Sequence, residues 1–214
     1  MKKSILLFDL DGTLTDSAPG ITNSAAYALR SFGIEVNPAG LRKFVGPPLF
    51  ESFEKYYGFS SEEAKRAVTK YREYFADRGI FENEPYAGIK EMLQQFVDAG
   101  KHLLVATSKP VTFAEQILEH FSLASYFEGI FGSELNGTRT DKAEVIAYAL
   151  EQSGIADKQQ AVMIGDREYD ILGARANGLD CIGVLYGYGS KEELEAAGAT
   201  LLARTPQDLV RLLL

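Results

Sequence analysis

Cysteine is almost absent: Cys181 is the only one in 214 residues, so no internal disulfide can form. It sits in the apolar run Cys181-Ile182-Gly183-Val184-Leu185, where the expected role is that of a small buried hydrophobe. Histidine is nearly as scarce, with His102 and His120 alone, too few for a histidine-rich metal centre. No apolar run approaches the ~20 residues of a membrane-spanning helix. Met1-Lys2-Lys3 is followed by only a short apolar stretch before Asp9, too short for the core of a signal peptide. A cytoplasmic location is therefore the default expectation. Basic residues are outnumbered, 22 against 30 acidic, for a net charge of −8. That balance offers no footprint for nucleic acid or an anionic membrane surface. Internal repeats and low-complexity segments are also missing.

What is present is ordinary globular material, 46% hydrophobic and 24% charged, enough to bury a sizeable core. Short apolar runs alternate with helical patterns. Residues 5–8, 102–106, 161–164 and 181–185 are apolar on both parities, as strands covered on both faces of a parallel sheet are. Helical patterns occupy 89–99, 113–120, 142–152 and 171–177, and Gly100, Gly154 and Gly178 read as C-terminal caps for three of them. Pro206 opens a last helix over 207–214. This alternation predicts a doubly wound α/β domain with a parallel sheet.

One stretch breaks the rhythm. Between Pro19 and Glu84 there is helical spacing (Ile21, Ala25, Ala28, Leu29, Phe32, then Ala64, Val68, Tyr71, Phe75) and no convincing strand. An ordinary crossover needs only about a dozen residues, so this block is expected to be an inserted α-helical subdomain. The predicted division is a core of 1–17 and 85–214 and an insert of 18–84.

Four features fall at the carboxyl ends of strand candidates, where open α/β sheets bind ligands. The first is Asp9-Leu10-Asp11-Gly12-Thr13-Leu14. Two carboxylates two residues apart on an extended chain face the same side, so one can attack while the other shuttles a proton. Gly12 allows close approach of a phosphate. A solvated Asp-Gly turn is the plain alternative. The second is Thr107-Ser108-Lys109-Pro110, hydroxyls and a lysine suited to an anion, or simply the start of a helix with Pro110 in its first turn. The third is Lys142, an ammonium able to offset both a carboxylate and a phosphoryl group, with Lys109 as rival for that role. The fourth is Gly165-Asp166 with Asp170, hard oxygen ligands suited to Mg²⁺, or a helix cap at Asp166. An anionic substrate in so acidic a chain requires local positive charge, which a metal ion and one or two lysines supply.

In these four motifs the sequence resembles the haloacid dehalogenase superfamily of phosphohydrolases, and the insert after the first motif resembles that family's small helical cap. The resemblance implies Asp9 as nucleophile and Asp11 as general acid/base. It implies Mg²⁺ held by Asp9, the main-chain carbonyl of Asp11 and Asp166, with Asp170 a further ligand or a partner just behind the ligands, and with Thr107 and Lys142 binding the phosphoryl group. Gly12, Thr13, Ser108 and Lys109 are candidate substrate ligands in the core, and Gly46 and Arg42 in the cap. Within the family the chain is most similar to phosphoglycolate phosphatase-like and 5′-nucleotidase-like enzymes, through Val45-Gly46-Pro47-Pro48-Leu49 and Thr107-Ser108-Lys109-Pro110. Ala143 stands where many relatives carry proline, which weakens glycolate phosphate as the substrate. The expected partner is a small phosphorylated metabolite acted on by a monomer or homodimer. A phosphomutase of the β-phosphoglucomutase type, a pyrophosphatase, a receiver-type signalling domain and a silent binding protein are the rivals.

Overall fold

The computed structural model describes residues 2–214. In chain order it contains β1 (Ile5–Phe8), β2 (Thr15–Asp16), α1 (Ala18–Arg30), α2 (Leu49–Tyr57), α3 (Ser61–Asp77), β3 (Glu84–Pro85), α4 (Ile89–Asp98), β4 (His102–Pro110) and α5 (Val111–His120). It continues with β5 (Gly129–Ser133), α6 (Lys142–Gln152), β6 (Ala161–Gly165), α7 (Glu168–Ala176), β7 (Asp180–Val184), α8 (Lys191–Ala197), β8 (Leu201–Ala203) and α9 (Pro206–Leu213). The chain divides into two compact units, one of residues up to Thr15 with Pro85–Leu214 and one of Asp16–Glu84.

The first unit is built on a six-stranded sheet in the order β5-β4-β1-β6-β7-β8, with every pair parallel. Succession outward reverses around β1, which makes a switch point at its carboxyl end. The double-parity apolar pattern has its reason here. Leu7, Leu104, Ala106, Met163 and Cys181 face one side and join Val145, Ile146, Ala149, Ile171, Ala174 and Leu194 in a single buried cluster. Phe8, of opposite parity, packs against Phe96 of α4 with ring centroids 6.3 Å apart. Cys181 is free and buried in the first cluster, as a small hydrophobe.

Gly100, Gly154 and Gly178 all have positive φ (72°, 65° and 74°). Each closes its helix with the same pair of bonds. After α4, for example, Gly100 N–H donates to Val97 O and Lys101 N–H to Phe96 O. Pro110 was expected inside the first turn of a helix; it instead ends β4 and stands just before α5, at φ −52°. Strands β2, β3, β5 and β8 and helix α8 were not anticipated.

The second unit is helical. Along α1, Ile21, Ala25, Ala28 and Leu29 are buried, and along α3 so are Ala64, Tyr71 and Phe75. Ser60 and Glu63 close a reciprocal cap at the start of α3. Gly20 of α1 meets the backbone at Gly79 so closely that a Cβ there would overlap the Gly79 carbonyl oxygen. Among the described residues, no helix is long and apolar enough to cross a membrane.

Candidate active site

Parallel register assembles the site at the carboxyl ends of the central strands. Phe8 is paired with Val105 on one side and Ile164 on the other. Asp9 therefore emerges between the ends of β4 and β6, with Thr107 and Asp166 on the neighbouring chain segments. Asp9 and Thr107 are both buried, and Asp166 is fully so.

Lys142 is the hub. Its Nζ donates to Asp9 Oδ1 at 2.7 Å and to the Ala106 carbonyl at 3.1 Å, and it pairs with Asp170 Oδ1 at 2.9 Å. It is the first residue of α6, where the positive end of the helix dipole disfavours a cation. The two carboxylates outweigh that, and their field holds the ammonium above the ordinary lysine range despite burial. Gly173 of α7 lets Lys142 lie close, since a Cβ there would come within 3.0 Å of its Cγ.

Asp170 is fixed twice, by Lys142 and by the Arg167 N–H, which donates to its Oδ2 at 3.0 Å. Gly165 makes room, because any Cβ at that position would overlap the Asp170 carboxyl group. Asp166 is not the cap of α7, a position held by Arg167. It accepts instead from the Tyr188 N–H at 2.8 Å and from the Thr13 hydroxyl at 3.4 Å. The Tyr186 hydroxyl donates to the Thr13 carbonyl at 3.1 Å. Gly12, at φ 83°, and Gly187 both pack against Asp166 where no Cβ fits. The segment Tyr186-Gly187-Tyr188 thus supports the site, and sequence reading missed it. Its signal was a glycine between two tyrosines, with a second glycine after them, just past a strand end.

Asp11 pairs with Lys109, Nζ to Oδ2 at 2.9 Å. Ser108 offers its carbonyl to the Ser133 hydroxyl at 2.8 Å. Arg42 and Gly46 belong to the helical unit, Arg42 in the 3-10 segment Pro38–Phe44 and Gly46 at φ 102°.

Asp9, Asp166 and Asp170 each offer an oxygen within 4.8 Å of the others. Three buried carboxylates against one ammonium leave two formal negative charges in the cluster. Burial therefore pushes Asp9 up to about 6; Lys142 opposes the shift, and Asp170 and Asp11 add to it. Asp166 is driven well above the usual carboxylate range by burial and by Asp170 and Asp9, against the pull of the Tyr188 N–H. All three donors are hard oxygens, with no nitrogen or sulfur, and a divalent cation such as Mg²⁺ fits both the donor set and the excess charge.

The sequence pattern of the haloacid dehalogenase-like hydrolases matches residues 6–184. The chain belongs to that family. As a haloacid dehalogenase-like hydrolase with phosphatase-named homologues it is a phosphatase. It is 50% identical over 192 residues to a 5′-nucleotidase of Pseudomonas aeruginosa, covering 89% of this chain and 86% of that protein. It is 39% identical over 199 residues to the tyrosine-protein kinase PtkA of Mycobacterium tuberculosis, covering 92% of this chain and 67% of that protein. The structure of a predicted phosphatase from Clostridium acetobutylicum superimposes with a TM-score of 0.95 at 51% identity, over 99% of this chain and 98% of that one.

Proposed function

We propose that this hydrolase removes phosphate from a nucleoside 5′-monophosphate or a similarly small phosphorylated metabolite through an aspartyl-phosphate on Asp9. The observation that carries the reading is the buried Asp9 carboxylate, held by Lys142 at 2.7 Å at the end of the central strand. The likeness to the 5′-nucleotidase supports the substrate class. Asp9 attacks phosphorus, the ester P–O bond breaks, and Asp11 gives a proton to the leaving oxygen. Asp11, now a carboxylate, takes a proton from water as that water attacks phosphorus. The bond to Asp9 breaks and inorganic phosphate leaves. Lys142 offsets the repulsion between the Asp9 carboxylate and the phosphoryl oxygens, and Thr107 binds one of those oxygens. Asp9, the Asp11 carbonyl, Asp166 and Asp170 would hold Mg²⁺, which when bound would supply further positive charge to the phosphoryl group. Gly12, Thr13 and Ser108 line the phosphate end.

The test is a screen of nucleoside monophosphates, phosphoglycolate, hexose phosphates and pyrophosphate, with and without Mg²⁺, on wild type and on Asp9→Ala. Turnover that survives in a folded Asp9→Ala protein ends the proposal. A second reading, delivery of the phosphoryl group to a protein tyrosine, is favoured by the likeness to PtkA. Label appearing on tyrosine, with no phosphate released, would select it.

A further inference from the structure

The site contains two lysines with buried side chains, and Lys142 holds the nucleophile. Lys109 lies 2.9 Å from Asp11 Oδ2, with the two side chains 6% and 14% exposed. The other oxygen, Asp11 Oδ1, is buried and has no hydrogen-bond partner among the described residues. One half of the carboxylate is clamped and the other half is left open.

The backbone that aims Lys109 is built for the purpose. Pairing of β4 with β5 runs in register to Ala106↔Phe131, then slips, so that Pro110 pairs with Ser133. The slip bulges Thr107-Ser108-Lys109 out of the ladder. Three contacts hold the bulge. The Lys109 N–H donates to the Thr107 hydroxyl at 3.3 Å, and the Ser133 hydroxyl donates to the Ser108 carbonyl at 2.8 Å. Gly132 admits the Lys109 carbonyl where a Cβ would come within 2.6 Å of it. A buried ion pair so supported resists rearrangement, because separating it leaves an uncompensated charge in a dry site.

We propose that Lys109 is a positioning residue for the acid–base group: it clamps Asp11 Oδ2 and so presents Oδ1 as the oxygen that carries the proton. The two lysines divide the work, Lys142 on Asp9 and Asp170, Lys109 on Asp11. This inference rests on the phosphatase reading, and it makes Lys109 act through Asp11 and not as a substrate ligand.

The test compares Lys109→Met and Lys109→Gln with wild type on two esters. In p-nitrophenyl phosphate the leaving group needs little protonation. In adenosine 5′-monophosphate it is an alkoxide that needs a great deal. General acid catalysis is worth roughly 10²–10⁴-fold. Lys109→Met is therefore expected to lower kcat/KM for the nucleotide by about 100-fold or more, with KM nearly unchanged, and for the nitrophenyl ester by less than about tenfold. Gln, which keeps an N–H donor, recovers part of the loss. In an Asp11→Asn background, Lys109→Met should cost nothing further, as coupled residues do not add. Equal losses on the two esters, a loss confined to KM, or an additive loss in the Asp11→Asn background overturns the inference alone. Asp9-independent turnover instead sinks the underlying phosphatase reading, and this inference with it.

Discussion

Asp9→Asn is the substitution in which the charge economy of the site is most directly measurable. In the folded chain the Asp9 carboxyl is raised from 3.8 to about 6, chiefly by burial. Each unit corresponds to about 1.36 kcal/mol, so keeping Asp9 ionised in the metal-free fold costs about 3 kcal/mol. The sign follows from proton binding. Between pH ~4 and ~6 the folded state holds this proton and the unfolded state does not, so stability falls as pH rises through that window. The cost is complete above the folded value and absent below the unfolded one. Asparagine mimics the neutral acid, and Lys142 retains Asp170 at 2.9 Å. In EDTA at pH 7.5 the variant should therefore be more stable than wild type by about 3 kcal/mol. At roughly 2–4 °C per kcal/mol for a chain of this size, the melting temperature rises by about 6–12 °C. The gap should close as pH approaches 4. Mg²⁺ at a thousand times its Kd should reverse the order, since a ligand at that excess adds about 4.1 kcal/mol to the protein that binds it. Thermal unfolding of both proteins across pH, with EDTA and with Mg²⁺, reads all of this. An Asp9→Asn protein that is less stable than wild type in EDTA by a pH-independent margin would refute the reasoning.

Two substitutions of glycine probe the close approaches. Gly12→Ala places a Cβ 2.6 Å from Tyr188 Cδ2 and from Asp166 Cγ at a φ of 83°. It should weaken Mg²⁺ binding measured by calorimetry and cut turnover by about 100-fold, the upper part of the ~10–100-fold range for perturbing the surroundings of a metal ligand; unchanged metal affinity would show that this contact does not order Asp166. Gly20→Ala, which overlaps the Gly79 carbonyl, should destabilise the helical unit by about 1–3 kcal/mol, seen as faster amide exchange along α1, whereas exchange unaltered in α1 would contradict the packing described.

Much of the core was legible because its strands are covered on both faces. Runs such as Ile5–Phe8 and Ala161–Gly165 are apolar at every position, and solvent-facing alternation cannot produce that. Strands β5 and β8 sit at the two edges of the sheet. Gly129–Ser133 carries two glycines and Leu201–Ala203 has only three residues, so neither announces a strand without its neighbour. The first motif was legible for a local reason: alternate residues of an extended chain share a side, whatever the rest of the fold does. Tyr188 was not legible, because what it contributes to Asp166 is a backbone N–H, which every residue but proline carries.

The sequence by itself determined the acidic residues of the site, their order along the chain, and the helical insert between the first strand and the rest. Only the tertiary structure decided which lysine serves which carboxylate. Lys142 reaches Asp9 across 133 residues of chain, and Lys109 turns to Asp11 because of a slip in the pairing of β4 with β5. Distance through space sets a buried ion pair, and strand order and register, not sequence spacing, set that distance.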